Sequence, residues 1–252
     1  MNNLAKLVKK FPNGRQAPAV RVDQGIDPAV LAAGLELPRC SRLLMISGGA
    51  GHMSDEIYTR LEKMFTEVGK LVRDDGITVI DGGTQSGVMQ LMGQALRRAG
   101  AVVTHIGVLP AHAAVDSQGT KAEEFLEPNH SCFVLVESDA WGDEVEVMYK
   151  LADYLSTDAP SIAMLINGGG VTLEEIEKNV EQKREVVIIV GSGRLADELA
   201  GAVFNPGPHI RERVAAIVRD GVLTLFNLEA PPDKLAQILK DHLTKPLSKS
   251  GS

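Results

Sequence analysis

The chain has 252 residues, of which 44% are hydrophobic and 23% charged, and its formal net charge is −7. That length buries a substantial core without disulfide or metal staples. The acidic balance excludes the Lys/Arg-driven counterion release on which non-specific nucleic-acid binding depends, and 4% aromatic residues are too few for a base-stacking surface. Cys40 and Cys132, the only cysteines, have no metal-ligand spacing and read as thiols of a reducing compartment. No apolar run has signal-peptide or membrane-spanning length, so a soluble, cytoplasmic chain is expected, with no membrane and no nucleic acid among its partners.

In chain order, the first 40 residues read as a lead-in, with "APAVRV" as an edge strand and "DPAVLAAGL" as a helix opened by an Asp cap and a Pro at the first helical position. Strands are then expected at 42–47, 77–81, 102–109, 132–138, 161–166 and 185–191. Several are apolar at consecutive positions, which means burial on both faces in a parallel sheet covered by helices. Between them run amphipathic helices; Ile57, Leu61, Met64, Phe65, Val68, Leu71 and Val72 trace one face at spacings of three and four. The segment 111–129 is polar and aperiodic, a loop at the site or an insertion. Beyond residue 207 come a helical run at 208–219, the strand-like "VLTLFN" and a last helix at 233–243. The expected fold class is α/β, a Rossmann-like doubly wound, mainly parallel sheet flanked by helices. The expected division is a lead-in over 1–40 packed on the domain, a nucleotide-binding domain over 41–228, and a C-terminal helix and tail over 229–252.

Four strands deliver glycine-rich turns into helix starts: "GGAGHMSDE" after 42–47, "GGTQSGVM" after 77–81, "NGGGVT" after 161–166 and "GSGR" after 185–191. Glycine lets a phosphate approach the backbone, and a helix N-terminus offers free N–H groups. Together the four point to a pocket for a phosphate-rich ligand. None is a Walker A motif or a strict GxGxxG. Arg194 is the candidate cation for a phosphate or base. The histidines show no ligand spacing, so no metal is expected.

"ISGGAGHM", "IDGGTQSGVMQLMGQAL", "LEPNHSCFVLVES", "LINGGG" and "VIIVGSGRLADELA" occur in this order over roughly residues 40–205. In this the chain resembles the LSDAT branch of the SLOG superfamily, prokaryotic relatives of the N-terminal domain of TRPM cation channels. The resemblance implies a cytosolic sensor of ADP-ribose or another NAD-derived nucleotide (cyclic ADP-ribose, NAD or AMP), with no required cofactor and, by analogy, a homodimer. It places Ser47, Gly48, Gly49, Ala50, Gly51, His52 and Met53 at the first loop, Gly82, Gly83, Thr84, Gly87, Val88 and Met89 at the second, and Gly191, Ser192, Gly193 and Arg194 at the last. Asn167, Gly168, Gly169, Gly170 and Thr172 join them from the third.

The wider superfamily includes the "Lonely guy" phosphoribohydrolases, whose motif is PGGxGTxxE. Residues 167–175 match it at Gly168, Gly169, Thr172 and Glu175, but carry Asn167 for the proline and Val171 for the third glycine. No arginine lies between Arg98 and Arg184 to serve as the enzymes' essential one; Lys150 is the nearest cation. The alternative function is therefore a nucleotide N-glycosidase with Glu175 as its catalytic carboxylate. Thr172 and Glu175 also read as a capping box, S/T-x-x-E. Asn129 and His130 read as pocket lining or as a structural turn. In 137–146, Glu137 or Asp139 reads as a ribose contact, or the stretch as a capped helix start with solvated carboxylates.

Overall fold

A computed structural model describes residues 4–49, 53–114 and 126–245. Within them the strands are β1 (Leu4–Lys10), β2 (Gln16–Val22), β3 (Leu43–Gly48), β4 (Thr78–Asp81), β5 (His105–Pro110), β6 (Cys132–Val136), β7 (Ser161–Ile166), β8 (Glu185–Val190) and β9 (Leu223–Asn227). The helices are α1 (Pro28–Gly34), α2 (Asp55–Asp75), α3 (Gly87–Ala99), α4 (Val145–Leu155), α5 (Gly170–Glu181), α6 (Arg194–Phe204), α7 (Glu212–Asp220) and α8 (Pro232–Leu243). All nine strands form one sheet in the order β1-β2-β6-β5-β4-β3-β7-β8-β9. Only the β1–β2 pair is antiparallel. The Rossmann-like α/β class expected from the sequence is the one observed.

The consecutive apolar positions are explained by the two cores. Leu43 and Met45 of β3 point into one layer, under α1, α4, α5, α6 and α7; Leu44 and Ile46 point into the other, under α2, α3 and α8. Val186 and Ile188 against Val187 and Ile189 repeat the division in β8. A strand covered on both faces has no polar side, so its sequence shows no alternation.

The chain steps from β3 outward through β4, β5 and β6, then returns to lay β7 on the other side of β3. Neighbouring connections thus leave in opposite directions at the β3–β7 pair, which opens a crevice beyond the carboxyl ends of these two strands. Gly48 closes its base. A Cβ there would lie 2.6 Å from the Ile166 carbonyl and 2.8 Å from a Val88 methyl, so only glycine lets β3, β7 and α3 meet.

Residues 4–22 contribute the two strands at one end of this sheet. β1 carries Lys6, Lys9 and Lys10 and forms the edge; β2, expected at the edge, lies inside it and pairs with β6. Val20, Val22 and Leu31 share a core with Tyr149 and Leu165. No helix of the described residues is long and apolar enough to cross a membrane.

Candidate functional site

A cavity of about 280 Å³ occupies the crevice. The ends of three strands line it: Gly48, the last residue of β3, with Gly49 after it, Gly82 and Thr84 after β4, and Gly169, Gly170, Val171 and Thr172 after β7, with Met89 of α3. Glu175 and Arg194 line it too, and of these residues only Val171 was not expected from the sequence. Ala50, Gly51 and His52 lie outside the described residues. Ser47, Met53, Gly83, Gly87, Val88, Asn167, Gly168, Gly191, Ser192 and Gly193 are not among its lining residues.

The fourth glycine turn departs most from expectation. The Gly191 and Gly193 N–H groups donate to the two carboxylate oxygens of Asp197, at 2.6 and 3.0 Å. Ser192 is buried, and its Oγ accepts from the Asn167 N–H at 2.8 Å. This turn thus satisfies its own donors and contributes only Arg194. The arginine stands in a left-handed conformation (φ 48°), uncommon for a non-glycine residue. Its guanidinium lies across two of the other loops: a Cβ at Gly169 would meet Nη2 at 2.8 Å, and one at Gly49 would meet Nη1 at 3.6 Å. Arg194 is the only cation among the described residues lining the cavity.

The capping box at Thr172 and Glu175 is not formed. Helix α5 starts at Gly170 with Gly169 as its N-cap, and no side chain caps it. Thr172 is therefore the third helical residue and Glu175 sits in the second turn, too far along to reach an orphan N–H. Glu175 faces the cavity instead and is 8% exposed. Burial pushes its carboxyl up to about 8; the nearby Glu144 charge adds to this and a Ser47 hydrogen bond opposes it. The uncapped first turn of α5 leaves backbone N–H groups at the cavity wall.

Glu144 is the second carboxyl of the cavity. It is 4% exposed and accepts from the Gly142 N–H at 2.8 Å, and burial raises its pKa. One of the two readings of this stretch had its carboxylates solvated; this one is folded under the start of α4. Trp141, 43% exposed, and Met148 form the adjoining wall. These three were missed as lining residues. The available signal was the only tryptophan of the chain, placed just beyond a strand end. Glu137 pairs with Arg21 at the surface, and Lys150 pairs with Glu146; neither lines the cavity.

Asn167 has φ 57°. A proline, locked near about −65°, has no access to that conformation. The loop therefore differs from the phosphoribohydrolase motif in backbone path as well as in sequence.

Behind the second loop lies a buried polar cluster. Asp81 Oδ1 accepts from the Gly83 N–H and from His130 Nε2, and Oδ2 from His105 Nε2, each at 2.8 Å. His130 Nδ1 donates to Glu127 Oε2 at 3.0 Å. With acceptors on both nitrogens, His130 is an imidazolium. Burial alone would lower its pKa, but the Asp81 charge and the carboxylate hydrogen bonds outweigh this and hold it at about 9. The stability this supplies is present in full below the unfolded value of about 6.5, and is lost as pH rises through about 9. His105, stacked on His130 with ring centroids 3.6 Å apart, has its pKa lowered by burial and by the His130 charge. His130 is thus part of a structural turn, the second of its two sequence readings. The donor atoms of Asp81, His105 and His130 lie within 4.8 Å of one another, close enough to hold a metal ion.

Comparison with known proteins gives a family and a fold. Residues 41–237 match the family described as "SLOG in TRPM, prokaryote". The chain is 27% identical over 232 residues to the transient receptor potential cation channel subfamily M member 2 of Mus musculus, covering 74% of this chain and 15% of that protein. It is 27% identical over 231 residues to subfamily M member 5 of Homo sapiens, covering 74% and 20%. The subfamily M member-like 2 of Nematostella vectensis is 25% identical over 239 residues, covering 76% and 15%. The chain therefore spans 15% to 20% of the length of these curated relatives. The X-ray structure of the structural-genomics target TM1055 superposes with a TM-score of 0.55 at 22% identity, over 79% of this chain and 99% of that one, and shows the same fold.

Proposed function

Because the chain belongs to the prokaryotic branch of the SLOG family shared with TRPM channels, we propose that it is a ligand-sensing domain for a nucleotide of the NAD-derived class, ADP-ribose foremost. The observation that carries this is the Arg194 guanidinium lying across Gly49 and Gly169 at the β3–β7 switch point. A phosphate there meets a planar fork of donors and the uncapped N-terminus of α5 at once. The far wall suits the rest of a nucleotide. Trp141 offers a face for base stacking. Glu175, its carboxyl pushed up to about 8, presents an acid to a ribose hydroxyl without repelling the phosphates, and Glu144 lies beside it.

Titration calorimetry with ADP-ribose, NAD, cyclic ADP-ribose and AMP tests the reading. ADP-ribose binds, and Arg194→Ala weakens it by about 10- to 100-fold, the loss expected of a charge-assisted phosphate contact. No heat from any of the four at millimolar concentration contradicts the proposal; unchanged affinity in Arg194→Ala removes that residue from it.

One observation favours cleavage as a second reading: Glu175 is a cavity-facing, proton-bearing acid and not a cap. In N-glycosidic hydrolysis a proton-bearing carboxyl gives its proton to the departing base through an oxocarbenium-like state, and water adds to the sugar carbon. Chromatography of each ligand after incubation distinguishes the readings. Free base that appears with the wild type and vanishes in Glu175→Gln establishes the hydrolase; intact ligand leaves the domain a sensor.

A further inference from the structure

Arg194 reaches the cavity from a backbone conformation that its own side chain disfavours. It is the first residue of α6, yet it stands at φ 48°. A non-glycine residue stays in that region only where its surroundings over-determine it. Asp197 holds one side of the turn through the Gly191 and Gly193 N–H groups. The other side is held by Asn167, just beyond the end of β7.

Asn167 bonds the fourth glycine turn and the start of α6 with its backbone and its side chain. Its N–H donates to Ser192 Oγ at 2.8 Å, and its Nδ2 to the Ser192 carbonyl at 3.0 Å. Its own carbonyl accepts at 3.0 Å from the N–H of Ala196, a first-turn donor of a helix that no side chain caps. The Ser192 hydroxyl gives its hydrogen to the Ile189 carbonyl at 2.6 Å, so its oxygen is the acceptor for Asn167. Asn167 is 1% exposed and Ser192 0%, so water does not compete for these bonds. A carbonyl only accepts, which turns the amide nitrogen of Asn167 to Ser192 and its oxygen to Gly49, where a Cβ would lie 3.0 Å away. The side chain therefore sits between the first, third and fourth turns in one orientation.

We propose that Asn167 is a positioning residue for Arg194: by interlocking the third and fourth turns it holds the guanidinium across Gly49 and Gly169. Its bonds fall on both sides of the arginine, at Ser192 before it and at Ala196 after it. Between these ties Arg194 keeps the left-handed conformation that sends its side chain over the crevice. Asn167 is not among the residues lining the cavity. It acts on a ligand through Arg194, in place of the direct nucleotide contact expected from the sequence. Its own φ of 57° is one that asparagine adopts more readily than most residues.

The proposal rests on Arg194 being the group that meets the phosphates, and its test has one arm with ligand and one without. In the first, calorimetry with ADP-ribose follows a double-mutant cycle of Asn167→Gly and Arg194→Ala. Glycine takes the left-handed backbone without strain and removes only the side-chain bond. Asn167→Gly weakens binding by about 5- to 10-fold where Arg194 is present, the size of one hydrogen bond. Where alanine stands at 194 the same change costs less than about twofold. Ser192→Ala, which removes the acceptor for the Asn167 N–H, repeats the pattern.

A merely structural Asn167 lowers unfolding stability and leaves affinity in place, or lowers affinity by the same factor in both backgrounds; either result overturns the positioning role. The second arm is a ligand-free crystal structure of Asn167→Gly. Arg194 out of its left-handed conformation, with the guanidinium clear of Gly169, upholds the proposal, and an unmoved guanidinium overturns it. If the wild type binds no ADP-ribose, the sensor reading fails by itself and this second arm still decides the role of Asn167.

Discussion

Glu175→Gln stabilises the protein at pH 7 by about 3 kcal/mol, and the gain grows between about pH 5 and pH 8. An unfolded glutamate loses its proton near pH 4.5, whereas the buried carboxyl keeps it to about 8. Between those values the folded chain binds a proton that the unfolded chain has released, so wild-type stability falls as pH rises. Glutamine keeps the shape and has no charge to bury. Urea unfolding of both proteins at pH 5 and pH 8 gives the difference directly. As the last residue of a capping box, the same position would take glutamine with little change at either pH, because glutamate and glutamine both fill it. A variant less stable than wild type at pH 8 contradicts the cavity-facing position of this carboxyl.

Asp81→Ala has the opposite sign and a comparable size, a loss of about 3–5 kcal/mol. It removes the acceptor shared by His105, His130 and the Gly83 N–H, all buried. His130 is left as a charge in the core with only Glu127 beside it. Burial alone would raise the Asp81 carboxyl, but the His130 and His105 interactions hold it well below the usual carboxylate range. Its contribution is therefore present above about pH 3.8 and lost as pH falls below that value. Chemical denaturation at pH 6 measures the loss. A cost under about 1 kcal/mol, the size of a single ordinary hydrogen bond, means that the cluster is not the anchor of the second loop.

The same cluster shows what the sequence could not convey. His105 opens β5 and His130 precedes β6, and only the pairing of these two strands stacks the rings. No spacing rule joins residues so placed. The sheet itself was legible because apolar runs such as 43–46 and 186–189 have no alternation, and burial on both faces is the physical reason. Strand β1 was not legible: its lysines are an edge strand's protection against further pairing, and they mask its apolar residues.

At the site, glycine counts led to the sheet end where the cavity lies, but one of the four turns adds only Arg194 to its lining. "GSGR" looks like an anion cradle until Asp197, four residues past Gly193, takes both of its N–H groups. Thr172-x-x-Glu175 has the letters of a capping box in the wrong frame, because the true N-cap is Gly169, which has no side chain to announce it. Arg194 was legible from its place after a glycine turn. Its reach over Gly49 and Gly169 depends on a left-handed backbone that sequence does not foretell.

A crystal structure of the protein grown with ADP-ribose tests the central claim most directly. The account predicts the diphosphate against the Arg194 guanidinium and the first turn of α5, with a ribose within hydrogen-bond reach of Glu144 or Glu175 and a ring on Trp141. Phosphates bound away from Arg194, or a ligand outside the β3–β7 crevice, would contradict it.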